Sequence, residues 1–189
     1  VTPKEVTVAY QVRNLENGDF PALMRMEREI FGAAGEEVLG PYYVRLCCDF
    51  FAPTCFLVLS DGEPVGYLLS FLKGREAYCS TLAVAPSHQG TRAVHLLIRA
   101  FVRAIIDQAD VCWFTVTEDN QAARALHQTL GAAEVGLRHD FYGPGDTRIV
   151  SCIDREAFQR LRQRYERLGL VPPRPAPRPE PVVLLEAVQ

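Results

Sequence analysis

The stretch LAVAPSHQGTRAVHLLIRAF, Leu82 to Phe101, constrains the fold more than any other part of the chain. An apolar strand runs into Pro86 and a polar loop. A helix follows, from about Thr91 to Asp107, with Leu96, Leu97, Ala100, Phe101, Ala104 and Ile105 on one face. VCWFTVTEDN then reads as another strand. A strand, a crossover helix and a strand in this order place two strands parallel in one sheet. The loop itself has one glycine, Gly90, among Gln89, Thr91 and Arg92. Free N–H groups at a helix start, with the positive end of its dipole, attract anions. Two readings stand: a phosphate cradle to which Arg92 adds charge, or a plain strand-to-helix loop.

The flanks of this unit have a different character. VTVAYQVRNL alternates and reads as a strand. DFPALMRMEREIF reads as a helix with Asp19 as N-cap and Leu23, Met26, Ile30 and Phe31 on one face. PYYVRLCCDFF is a second short helix with Pro41 in its first turn. Two β-rich runs flank SDGE, and the Asp-Gly pair marks a hairpin. EAYCSTLAVAP is a third such run, QAARALHQTLGA a short helix ending at Gly131, and AEVGLRHDFYG and TRIVSCID two strands. Crossovers in the middle and hairpins at both ends predict an α/β fold. Its sheet is mixed, mostly antiparallel, of about six to seven strands, with helices on both faces.

With 189 residues, 48% of them hydrophobic, the chain suits one domain with a sizeable core. A net charge of −3 offers no global basic field for nucleic acid. No apolar run approaches the roughly 18 residues that span a bilayer, and VTPKEVTVAYQV lacks the basic, apolar, small order of a secretion signal. None of the six cysteines forms a C-x-x-C pair, and most lie in apolar segments. They read as buried reduced thiols rather than zinc ligands or disulfides, which points to a reducing cytoplasm and no metal.

A second place for chemistry is VTEDNQAARALHQTLGA. Asn120 is a good N-cap, and His127 lies seven residues on, two turns along the same helical face. A histidine there reads either as an acid or as a satisfied core residue. Together the two places resemble the GNAT superfamily of acetyl-CoA-dependent N-acetyltransferases. That family's signature is L-x-V-x-P on a strand, Q/R-x-x-G-x-G/A opening a helix, then N-x-x-A-x-x-L-Y-x-x-x-G-F. Here stand Leu82-Ala83-Val84-Ala85-Pro86, Gln89 to Val94, and Asn120, Ala123, Leu126, His127, Gly131 and Ala132. The order of elements is similar from about Val8 to Ile153.

The resemblance implies transfer of an acetyl group from acetyl-CoA to a primary amine by direct attack in a ternary complex. It also implies a sheet whose central parallel strands splay apart. The pyrophosphate would sit on Gln89, Gly90, Thr91, Arg92, Ala93 and Val94, and the pantetheine along Leu82, Ala83 and Val84, with Asn120 also on the cofactor side. The Leu82 N–H would stabilise the oxyanion, and His127, in place of the usual tyrosine, would protonate the leaving thiolate as an imidazolium. Tyr78 and Thr115 occupy positions where relatives carry Glu; Glu118 and Asp119 are either a base or turn residues before the helix cap. Arg92 stands at a signature glycine and Val94 at Gly or Ala. Arg92 therefore either pairs with a phosphate or blocks the cradle, leaving a degenerate binding or structural module. Glu27, Glu29, Glu36, Glu37, Tyr42, Tyr43, His139, Asp140 and Tyr142 would face a small-molecule or peptide amine.

The acyltransferase-like domain is thus expected over 1–155, a charged helix with Phe158, Leu161, Tyr165 and Leu168 as its stripe over 156–170, and a Pro-rich tail over 171–189. The apolar VVLLEAV at its end reads either as an arm that joins a homodimer or as an undocked extension.

Overall fold

A computed structural model of the chain describes residues 9–168 and 171–173. The elements run β1 (Tyr10–Asn14), α1 (Phe20–Ile30), α2 (Pro41–Asp49), β2 (Phe56–Ser60), β3 (Glu63–Lys73), β4 (Glu76–Val84), α3 (Arg92–Ile105), β5 (Val111–Thr117), α4 (Gln121–Thr129), β6 (Ala133–Arg138), β7 (Arg148–Ile153) and α5 (Arg155–Arg167). All seven strands join one sheet in the order β1-β2-β3-β4-β5-β7-β6. Only β4 and β5 pair parallel among the described residues. The mixed, mostly antiparallel sheet is the one anticipated. Val6, Thr7 and Val8 of the first expected strand lie outside the described residues.

The period-two alternation of the strands divides the core. Phe56, Val58 and Leu68 point to one face, where they meet Leu97, Phe101 and Ile105 of α3 and Phe158 and Leu161 of α5. Leu57, Tyr67 and Leu69 point to the other, where they meet Leu23 and Met26 of α1 and Val44 and Cys47 of α2. Central strands covered on both faces read as near-continuous apolar runs, as FLVLS and VGYLLSFL do. All six cysteines are free and buried. No helix among the described residues is long and apolar enough to cross a membrane.

Local chemistry explains most boundaries. At the β2–β3 turn Asp61 and Gly62 both have positive φ, 50° and 90°, the left-handed pair of a tight hairpin. Asn120 and Asp154 cap α4 and α5 by accepting from Ala123 N and Ala157 N. Asp19 does not cap α1, against expectation. Pro21 removes a donor such a cap would use. The carboxylate instead takes both arms of Arg13, at 2.6 and 2.8 Å, and the Glu16 N–H at 2.8 Å.

The stripe on α5 also needs correction. Phe158 and Leu161 are buried, but the helix ends at Arg167 and Leu168 is 60% exposed. Arg162, which a polar face would have carried outward, is only 7% exposed. Its guanidinium donates to Asp107, to Glu166 at 2.8 Å and to the Pro172 carbonyl at 3.3 Å, which fixes the chain as it leaves the helix. The Pro-rich tail from residue 174 onward lies outside the described residues.

Gly66 on β3 is the point where the sheet tolerates no side chain. A Cβ there would stand 2.7 Å from the Ala83 carbonyl oxygen and 2.9 Å from a methyl of Val84. Gly66→Ala is therefore expected to destabilise the fold by about 1–3 kcal/mol through overpacking, measured as a lower urea midpoint with an unchanged slope.

Candidate active site

The two central strands part company. β4 and β5 pair from Glu76↔Val111 to Cys79↔Phe114 and no further, although each strand continues. A bulge accompanies the parting. The β3–β4 register shifts between Leu69↔Thr81 and Ser70↔Cys79, which leaves Ser80 as the extra residue. Beyond it, Ala85 donates its N–H to Val65 O at 2.8 Å. By alternation Ala83 and Thr81 also face β3, and Leu82 and Val84 turn their N–H and C=O groups toward the gap. A row of backbone groups thus lies open where β5 has moved away.

The end of this row meets the loop before α3. Gly90 adopts φ +71° with open space where a Cβ would be. Its N–H and that of Thr91 donate to no protein group among the described residues. The side chains of Gln89 and Thr91 are engaged within the loop and strand. Gln89 Nε2 donates to Val84 O at 3.1 Å, tying the loop to the strand. The Thr91 hydroxyl donates to His88 O at 2.6 Å and accepts from Ala93 N at 3.2 Å, capping α3. Arg92 is exposed at the first position of the helix and makes no ion pair among the described residues. Ala93 is fully buried and Val94 packs against the α3-side core. The loop can present amides and one guanidinium to an anion, so the donor set fits a diphosphate.

On the α3 side, His127 of α4 stacks on Phe114 of β5, with centroids 4.4 Å apart. Its Nδ1 is buried without a hydrogen-bond partner. Burial pushes the imidazole down to about 4, with Glu134 opposing weakly. The ring is therefore neutral near pH 7, and the expected resting imidazolium is not what burial allows. Asn120 acts as the cap of the same helix, its Oδ1 occupied by Ala123 N at 3.0 Å.

The opposite face of the gap, beneath α1 and α2, carries hydroxyls. Ala77 and Cys79 point into the α3-side core, so Tyr78 between them points the other way. Its hydroxyl lies 2.6 Å from Thr115 Oγ1, on the first β5 residue past the last strand pair. Tyr43 Oη lies 2.6 Å from Ser80 Oγ, on the first β4 residue past that pair. Burial pushes Tyr78 up to about 12 and Tyr43 higher still, so neither resting phenol is a base. Tyr142, from the β6–β7 loop, sits against Tyr78. Arg148 lies over the Tyr142 ring at 4.9 Å and pairs with Asp146 at 2.7 Å.

The acidic residues expected to face an amine are dispersed. Glu27 is 1% exposed and accepts from Leu39 N at 2.7 Å and from the Tyr67 hydroxyl; burial raises its pKa. Glu29 is exposed beside Arg25, and Glu36 and Glu37 are exposed between α1 and α2. Tyr42 is 78% exposed. His139 contacts Thr147, and Asp140 accepts from Gly145 N at 2.7 Å within their own loop. Asp119 is held below the usual carboxylate range by Thr117, which makes it a poor base. Glu118 lines a surface cleft with Arg124 and Glu134. Ser80 and Arg148 were not foreseen. A bulge leaves no mark in STLAV, and an arginine opening a strand looks like any solvated one.

Comparison with known proteins agrees with this geometry. Residues 10–132 match the model of the Acetyltransferase (GNAT) family. No curated protein sequence matches the chain. Among solved structures it is similar to the diaminobutyrate acetyltransferase EctA from Paenibacillus lautus, in complex with L-2,4-diaminobutyric acid and coenzyme A. The identity is 19% and the TM-score 0.64, covering 77% of this chain and 94% of that one. It is also similar to the ribosomal-protein-S18-alanine N-acetyltransferase of Escherichia coli (19%, TM-score 0.63, 76% and 92%) and to Ard1 of Thermoplasma volcanium (17%, TM-score 0.66, 77% and 97%). At these identities the structural likeness is one of fold.

The state of His127 has a measurable consequence. A histidine depressed from 6.5 to about 4 binds its proton more weakly in the folded chain than in the unfolded one. Its contribution to stability is complete above pH 6.5 and is lost as pH falls toward 4. The ring resonances of His127 are expected to stay fixed from about pH 8 to pH 6 in an NMR titration. His127→Phe, which keeps the stack, should flatten the acid side of the stability profile.

Proposed function

The chain belongs to the GNAT acetyltransferase family, and on that premise we propose that the gap between β4 and β5 is where it moves acetyl from acetyl-CoA to a primary amine. The observation that carries this reading is the parting of the parallel strands at Cys79 and Phe114, directly upstream of the Gly90 loop. Acetyl-CoA supplies the activated thioester. The pantetheine chain pairs with the open backbone of Leu82 to Val84, with Ala83 turned to β3. The diphosphate rests on the loop between Gln89 and Val94, held by the open amides of Gly90 and Thr91.

Arg92 takes the first of its two readings. Its side chain leaves the loop outward, so it does not fill the cradle, and it supplies charge where Thr91 has taken the Ala93 N–H for itself. Leu82 N–H, facing the gap, donates to the carbonyl oxygen as charge develops there. His127 begins neutral. As negative charge grows on the thiolate, the neutral ring serves as an N–H donor to the sulfur, and the released thiolate takes its proton from water. The ammonium proton of the acceptor leaves through water at the Tyr78–Thr115 and Tyr43–Ser80 hydroxyls, which relay rather than hold it.

Calorimetry with acetyl-CoA, followed by thiol release on addition of pooled amines, tests the assignment. Binding and amine-dependent thiol release are expected; no binding would leave a fold kept as a binding or structural module. Arg92→Ala should weaken acetyl-CoA roughly tenfold or more, the size of one charge-assisted contact. Unchanged affinity would place the guanidinium elsewhere.

The buried thiols support a reducing cytoplasm as the setting. A homodimer is supported by β6, an edge strand exposed along its whole length, with Val135 57% and Leu137 50% exposed. Mass in solution should equal two chains. If truncation after Gly169 leaves two, the contact belongs to the folded domain and not to the tail.

A further inference from the structure

Resting on the acetyl-transfer reading, the geometry points to an acceptor whose amine is flanked by an apolar group. We infer that this group seats between Tyr43, Phe71, Tyr78 and Tyr142 on the α2 side of the strand gap.

The rings are placed there by three elements. Phe71 and Tyr78 are direct partners across β3 and β4, so their side chains leave the same face of the sheet. Tyr43 of α2 meets Phe71 edge-on at 5.7 Å. Tyr142 comes from the β6–β7 loop on the far side of β5, reaches Tyr78 and is itself 64% exposed. Tyr43, Phe71 and Tyr78 are each half-buried, so each keeps part of a ring for a ligand. Their polar ends are already used: Tyr43 on Ser80 and Tyr78 on Thr115. What remains to offer an incoming molecule is mainly aromatic surface, which an apolar side group is stabilised by covering.

Charge at this rim does not do the selecting. Arg148 lies over Tyr142 and is neutralised by Asp146, with the Asp119 carboxylate nearby. Glu27 is committed to Tyr67 and Leu39 inside the core. The selection rests on the rings, and an amine without an apolar side group, such as spermidine, has nothing to cover them.

Titration calorimetry on the full chain loaded with CoA decides this with three probes: phenethylamine, a short peptide beginning Met-Leu, and spermidine. One or both of the first two should bind at least about tenfold more tightly than spermidine. The tighter of the two shows whether a small arylalkylamine or a peptide amine is the source of that chemistry. Tyr142→Ala, at an exposed position that the fold does not need, should reduce that binding roughly tenfold and leave CoA affinity unchanged. Spermidine binding as tightly as the other two overturns the inference, and so does failure of both apolar probes to bind the loaded chain. If CoA itself does not bind, the acetyl-transfer reading fails. The same titrations on the unloaded chain then still rank the amines.

Discussion

The site depends on one failure of pairing. Two parallel strands that ran together to their ends would satisfy each other's backbone and leave nothing to offer a ligand. Here β4 and β5 stop pairing at Cys79 and Phe114. The bulge at Ser80 helps turn β4 away, because an extra residue bends a strand and increases its twist. Unpaired N–H and C=O groups are costly inside a protein but useful at an opening where a ligand or water can reach them. Gly66 lets β3 lie close against β4 there, since a Cβ would stand only 2.7 Å from the Ala83 carbonyl oxygen. Above the gap, Gly90 turns the chain into α3 with its own amides still open.

This opening has two unlike faces, and the difference sorts the chemistry. Toward α3 and α4 it meets a neutral imidazole stacked on Phe114. Toward α1 and α2 it meets two hydroxyl pairs, each joining a first unpaired strand residue to a tyrosine. Neither face presents a strongly shifted carboxylate. Burial raises the pKa of Glu27, but that carboxyl is shut inside the core. Proton movement by relay fits such a site better than a single strong base, since hydroxyls both accept and donate.

Most of the fold could be read before the structure. The hairpin at Asp61-Gly62, the cap at Asn120 and the amphipathic α3 follow from local chemistry, and the order of strands and helices follows from them. The strand and the loop that leads into α3 were legible through Leu82 to Pro86 and Gly90. What was not legible depends on neighbours distant in sequence. Asp19 looks like a cap until Arg13 is seen beside it. Glu27 looks like a surface acid until Tyr67 and Leu39 enclose it. His127 has the residue type of an acid, but its protonation is set by Phe114 and by burial, neither of which a helical spacing reveals. The Gln89 side chain ties back to Val84 of β4 and the Thr91 hydroxyl to His88, contacts that the loop sequence does not show.

The same distinction between sum and distribution governs charge. The whole chain carries −3, which by itself argues against attraction for a phosphate-bearing molecule. The outer face of α3 reverses that locally. Arg92, Arg99 and Arg103 are exposed along it, and none makes an ion pair among the described residues. Most of the other arginines in β-strands and in α5 are neutralised by partners such as Asp110, Asp146 and Glu156. Uncompensated positive charge therefore concentrates on the helix whose N-terminus forms the loop, and its field adds to that of the helix dipole. An anion that meets this surface is drawn toward Gly90, where the amides are. A loop with one glycine can then serve an anion that other loops would hold with two, because charge drawn from the helix face does part of what close backbone approach does elsewhere.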